Sequence, residues 1–189
     1  MAQGAAGWSL RKWRTSAVIV LVACAMVVFA CGARAQTNQI FALGASNTNG
    51  KGVGTSQAWP AQLERMLRAR GYDVTVTVNA VNGDTSSGVL SRTASIPRGT
   101  RVVVFDTGGD NDRKRGIAEG NIGANRSKIM SAIRSHGATP IGVPYIRLIG
   151  PMRSGGSGYQ ADGHHLTVQS HAKVAAYLLP RVIAAMKKK

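Results

Sequence analysis

Four stretches of this 189-residue sequence set side chains capable of chemistry beside glycines. The first, Gly44-Ala45-Ser46-Asn47-Thr48-Asn49-Gly50-Lys51-Gly52, offers one serine hydroxyl on a glycine-rich loop. A phosphate-binding loop is refused by its spacing. Five residues separate Gly44 from Gly50 where that motif has four, and Gly52 stands where its Mg²⁺-binding hydroxyl belongs. An exposed nucleophile, Ser46, fits better. The second stretch, Asn82-Gly83-Asp84-Thr85, reads either as a turn into a helix N-cap or as a backbone N–H offered to a developing oxyanion. The third, Gly109-Asp110-Asn111-Asp112, places an amide donor, Asn111, between two acids. Its alternative is an Asx-rich loop capping a helix. No histidine is near in sequence and no Ca²⁺-loop spacing is present, so no metal is assigned there. The fourth, Asp162-Gly163-His164-His165, sets an acid three residues before a histidine. Such an acid can fix the tautomer of an imidazole whose other nitrogen faces a serine, although a polar loop ahead of a Thr167-capped helix would look similar.

Each stretch follows a segment with the pattern of a buried strand, or precedes the last helix. Ile40-Phe41-Ala42-Leu43 and Val102-Val103-Val104-Phe105 are continuous apolar runs, each stopped by glycine nearby. Residues 74–78 alternate Val and Thr, and residues 140–143 read as a fourth strand. Helical patterns open at Trp59-Pro60 and end at Gly71, fall between residues 85 and 95, cover residues 122–135, and begin again near Thr167. A Gly/Ser-rich loop covers residues 150–158. Alternation of this kind predicts βαβ units with a parallel sheet covered on both faces. Sites in such sheets lie beyond the carboxyl ends of the strands, where all these stretches fall.

Serine, glycine, asparagine and Asp-x-x-His in that chain order resemble the blocks of the SGNH hydrolases, also called GDSL esterases and lipases. The chain looks most like their periplasmic thioesterase/lysophospholipase branch. Leu43-Gly44-Ala45-Ser46 resembles the nucleophile block. Trp59-Pro60-Ala61-Gln62-Leu63 and Arg70-Gly71-Tyr72-Asp73-Val74 resemble the first helix and second strand, and Asn82-Gly83-Asp84-Thr85-Ser86 the glycine block. Gly109-Asp110-Asn111-Asp112 and Asp162-Gly163-His164-His165 fit the last two blocks, the final register selecting His165 over His164. The resemblance implies a flavodoxin-like three-layer α/β/α sandwich with four or five parallel strands. It implies Ser46 as nucleophile, His165 as base and then acid, and Asp162 as its orienter. The Ser46 and Gly83 N–H groups and the Asn111 side chain would form the oxyanion hole, with no cofactor or metal. Two departures stand out. The family's acid before the serine is Ala45 here, and the segment between the fourth strand and Asp162 is too short for another helix–strand unit.

Charge and cysteine usage bound the rest. Residues 1–35 join a basic start to an apolar run over residues 17–30 and end in Ala33-Arg34-Ala35, the pattern of a cleaved secretory signal. Cleavage after Ala35 is expected; lipidation at Cys31 and an uncleaved anchor are the alternatives. Both cysteines lie in this segment, so a domain over residues 36–189 has none. Of 24 basic and 8 acidic residues the segment holds four basic ones, leaving 20 against 8, a formal +12. Aromatic residues make up 5%, which argues against a base-stacking platform, and no nucleic-acid motif appears. The expectation is a periplasmic or extracellular hydrolase of small esters or thioesters, anionic ones included, with no stable membrane span in the exported chain. The competing expectation is a non-catalytic module of the same fold that binds a cell-envelope polyanion through its basic surface.

Overall fold

The computed structural model describes residues 38–187, so the leader expected over residues 1–35 lies outside the described residues. The apolar runs become strands, and their alternation decides what covers each face. β1 (Asn38–Gly44) and β3 (Thr100–Phe105) pair in parallel at the centre, with β2 (Val74–Ala80) outside β1 and β4 (Thr139–Gly142) outside β3. The order β2-β1-β3-β4 puts every strand's carboxyl end on one side. Successive residues of a strand point to opposite faces. Ile40, Ala42, Val102 and Val104 therefore meet one helical layer, made by α2 (Trp59–Arg68) and α7 (Val168–Lys187). Phe41, Leu43, Val103 and Phe105 meet the other, made by α3 (Ser86–Ser91) and α5 (Glu119–Ser135). Three layers result, as the sequence led us to expect.

Local chemistry sets the ends of these elements. Pro60 sits in the first turn of α2, where a missing N–H costs nothing. The helix stops where Gly71 takes φ +80° and the Tyr72 N–H returns to the Leu67 carbonyl. α2 and α7 are tied at depth by the Trp59 N–H, which donates to Nδ1 of the fully buried His171 at 3.2 Å. Short helices that the sequence reading did not include follow three of the strands: α1 (Ser46–Asn49), α4 (Gly109–Lys114) and α6 (Tyr145–Ile149). After β4 the chain makes α6 and a loop with one isolated antiparallel bridge, Tyr159 to Leu166, before α7. Of the four or five strands expected, four are present among the described residues. β4 is the outermost strand on its side of the sheet.

Candidate active site

The corner between β1 and α1 is built around a close approach that only glycine permits. A Cβ on Gly44 would stand 2.2 Å from the Thr48 hydroxyl and 3.0 Å from Asp106 Cβ. The chain turns there and presents Ser46 as the first residue of α1, 3% exposed. Ser46 faces a cavity of about 20 Å³ that it shares with Asn111, Asp110, Asp106, Tyr145 and His164. That is space for one water-sized group.

The next loop is fixed by one guanidinium. Arg92 donates to the Gly44 carbonyl at 2.9 Å, to the Asn79 carbonyl at 2.7 Å, and to the Asp84 carboxylate, with which it forms an ion pair. The ends of β1 and β2 and the Asn82-Gly83-Asp84 turn are thus held together. Gly83 takes φ +77° with open space where a Cβ would point, and its carbonyl accepts from Arg115 at 2.9 Å. Asn111 donates one amide N–H to the Asp84 carbonyl at 2.8 Å. A primary amide has a second N–H, and Asn111 is part of the cavity lining. Asp112 caps α3 by accepting from the Ser86 N–H at 2.7 Å, which accounts for the second acid of this block.

Asp162 and His165 form a pair, Oδ2 to Nδ1 at 2.5 Å, while Asp162 Oδ1 accepts the N–H groups of both His164 and His165 at 2.9 Å. Burial alone would raise the Asp162 carboxyl, but those two N–H donors and the His165 ring outweigh it and hold the acid well below its usual range. His164 packs edge-on against His165, centroids 4.8 Å apart. Its Nδ1 lies 2.6 Å from Asp110 Oδ2, although the two are not aligned for a hydrogen bond. Burial lowers the His164 ring's basicity, partly against the pull of Asp110.

Sequence reasoning missed the residue that joins these halves. Asn47, next to Ser46 and buried, accepts from the Leu166 N–H at 2.9 Å and donates to the His164 carbonyl at 3.2 Å. It grips the histidine loop from both sides of His165. Asp106 was also missed. Its carboxylate accepts the N–H groups of Ala45 and Gly108 and lines the Ser46 cavity, and burial raises it. A carboxylate therefore does lie beside Ser46, contributed by the residue after β3 instead of by residue 45. Among the expected site residues, Ser46 and Asn111 share the cavity and Asp162 and His165 pair beside it. Gly83 stands in the adjoining turn, and the imidazole that lines the cavity is His164.

The GDSL-like lipase/acylhydrolase family model matches residues 42–181. Esterase TesA of Pseudomonas aeruginosa is 34% identical over 116 residues, 60% of this chain and 56% of that protein. An arylesterase of Vibrio mimicus is 31% identical over 119 residues, 61% of this chain and 60% of its own. The chain thus spans between half and two thirds of the curated relatives it matches. A crystal structure of TesA superposes with a TM-score of 0.69 at 23% identity, covering 78% of this chain and 99% of that one. The psychrotrophic esterase EstA from Pseudoalteromonas gives 0.66 at 14%, covering 80% and 100%; both likenesses concern the fold. With the family's pattern matched from β1 to α7 and its sandwich reproduced, the chain belongs to the GDSL-like lipase/acylhydrolase family.

Proposed function

We propose that this chain is an exported serine hydrolase of small carboxylic esters or thioesters, working through an acyl-enzyme on Ser46. The observation that carries the reading is the Asp162–His165 pair on a loop that Asn47, the neighbour of Ser46, holds in place. Asp162 fixes the proton on Nδ1, which leaves Nε2 as the basic nitrogen. In the reaction, Nε2 takes the Ser46 proton as Oγ attacks the substrate carbonyl. The oxyanion that forms is met by the Ser46 and Gly83 N–H groups and the free N–H of Asn111. His165 then protonates the leaving alcohol or thiol, and water, activated by the same ring, releases the acid. Oxyanion donors supply the largest part of such rate gains, about 10²–10³-fold for each.

Activity in named relatives supports the class: the curated relatives are an esterase and an arylesterase, and the Pseudoalteromonas esterase of the same fold is inhibited by monoethylphosphonate. A fluorophosphonate probe is the direct test. The purified exported protein should be labelled once, on Ser46, and Ser46→Ala should abolish labelling and turnover of an activated ester. The same intact-mass spectrum reads the N-terminus, expected at Gln36. Labelling that survives Ser46→Ala would move the nucleophile elsewhere. A diacylglyceryl Cys31 would replace the cleaved leader with a lipid anchor.

A further inference from the structure

A second, larger cleft of about 380 Å³ opens beside the Ser46 cavity, sharing Asp106, Asp110, Tyr145 and Met152 with it. It lies beyond the carboxyl ends of β3 and β4, lined by the residues that follow each strand and by Arg126 of α5. Its lining combines apolar Val143, Pro144, Ile146 and Met152 with three guanidinium groups, Arg113, Arg126 and Arg147. Two of these have partners. Arg113 is held by Glu119 at 2.5 Å, and Arg147 donates to the Tyr177 hydroxyl. Arg126 differs. It lies over the Phe105 ring, 5.9 Å from the centroid, and no carboxylate among the described residues is within ion-pair distance of it. Gly142, at the end of β4, makes room for it, since a Cβ there would stand 3.2 Å from an Arg126 Nη.

The acids of the cleft sit at its Ser46 end and have local company. Asp106 accepts two backbone N–H groups, while Asp110 lies 2.6 Å from His164 and 3.7 Å from Lys114. The cleft therefore has compensated acids where it meets the Ser46 cavity. Arg147, which also lacks a carboxylate, is engaged by the Tyr177 hydroxyl and ring, and this leaves Arg126 as the cation of the lining without a polar partner among the described residues. We propose that it seats an ester whose acyl chain ends in a carboxylate, with Arg126 as the counter-charge that sets this preference. The inference rests on the ester-hydrolase reading above. The scissile carbonyl would enter the Ser46 cavity, a few methylenes would cross Val143 and Ile146, and the carboxylate would meet the guanidinium. One such contact in a partly open cleft changes kcat/KM by roughly five- to tenfold.

The test compares mono-p-nitrophenyl adipate with p-nitrophenyl hexanoate, which share a leaving group and a six-carbon acyl chain and differ in the terminal charge. After correction for spontaneous hydrolysis, the adipate should be preferred. Arg126→Gln should bring the ratio of the two kcat/KM values down by that five- to tenfold factor. Arg134→Gln, the same loss of charge further along α5, should leave the ratio as it is. Hydrolysis of both esters without preference, or a preference that persists in Arg126→Gln, overturns the assignment and leaves the esterase reading standing. If neither ester is cleaved, the esterase reading falls and this subsite falls with it.

Discussion

Replacing Asn47 by alanine separates the two halves of the site without touching either reacting group. The side chain satisfies the Leu166 N–H and the His164 carbonyl, and Leu166 is fully buried. Removing it leaves one buried donor and one buried acceptor without partners, at about 1–3 kcal/mol each. The loop can recover much of this by shifting until water reaches both groups, so part of the cost becomes displacement. His165 lies between the two gripped positions and moves with them. A displacement of about 1 Å between nucleophile and base lowers turnover by about 10²-fold. Asn47→Ala should therefore reduce kcat on an activated ester by about that factor, with KM changed by less than about threefold, because Asn47 borders the small Ser46 cavity and not the larger cleft beside it. Asn47→Asp should be no better. Its carboxylate still accepts from Leu166 but sets a second acceptor against the His164 carbonyl. Steady-state kinetics beside a urea melt distinguishes a shifted loop from a lost fold. If Asn47→Ala keeps kcat within about threefold of the parent, the loop does not depend on this grip and the reasoning fails.

Two further outcomes follow from the histidines. His165→Ala should lower kcat by about 10²–10⁴-fold, the usual range for a general base, whereas His164→Ala should act on KM, since its ring lines the cavity without contacting Asp162's Oδ2. Kinetics of both variants on one ester decides it: a dead His164→Ala beside an active His165→Ala would transfer the base to the His164–Asp110 pair. Buried His171, whose Nε2 has no partner, is held near pKa 4 by burial against an ordinary 6.5. Between those values the unfolded chain binds more protons than the folded one. Stability contributed by the neutral ring is therefore complete above about pH 6.5 and is lost as pH falls toward 4, by up to about 3 kcal/mol. Urea midpoints at pH 7.5, 6 and 5 should fall more steeply for the parent than for His171→Gln; equal slopes would remove His171 from the account.

Much of this was legible because buried parallel strands leave a strong trace. Residues 40–43 and 102–105 are apolar on both faces since helices cover both, and the glycines that end them mark the loops where chemistry collects. The order of the four blocks then carried Ser46, Asn111, Asp162 and His165 to one end of the sheet. The three short helices left no readable period. Each has four to six residues, less than two turns, so no apolar stripe can form. Asn47 and Arg92 were illegible for another reason. Asn47's partners stand 117 and 119 positions away and Arg92 reaches 48 positions back to Gly44, and a lone Asn or Arg has the same appearance in a sequence whether it grips a distant backbone or faces solvent.

Ala45 and Asp106 together decide which charge borders Ser46. The acid expected before the serine is absent from β1, and Ala45 is nearly fully buried at that corner. β1 and β3 are hydrogen-bonded neighbours with Leu43 opposite Phe105, so the residues following each strand meet in space. Asp106 uses that adjacency. Its backbone N–H donates to Leu43 at 2.9 Å, and its side chain turns to accept from Ala45 and Gly108. The carboxylate that borders Ser46 is thus anchored to the strand leading into Ser46 by a main-chain bond and to the turn after it by a side-chain bond. Burial and the nearby Asp110 both push its affinity for a proton upward, so a second acid at residue 45 would add repulsion where one carboxylate is already compensated only by N–H dipoles. With alanine at 45 that repulsion is absent, and the Ala45 N–H is left to donate to the Asp106 carboxylate.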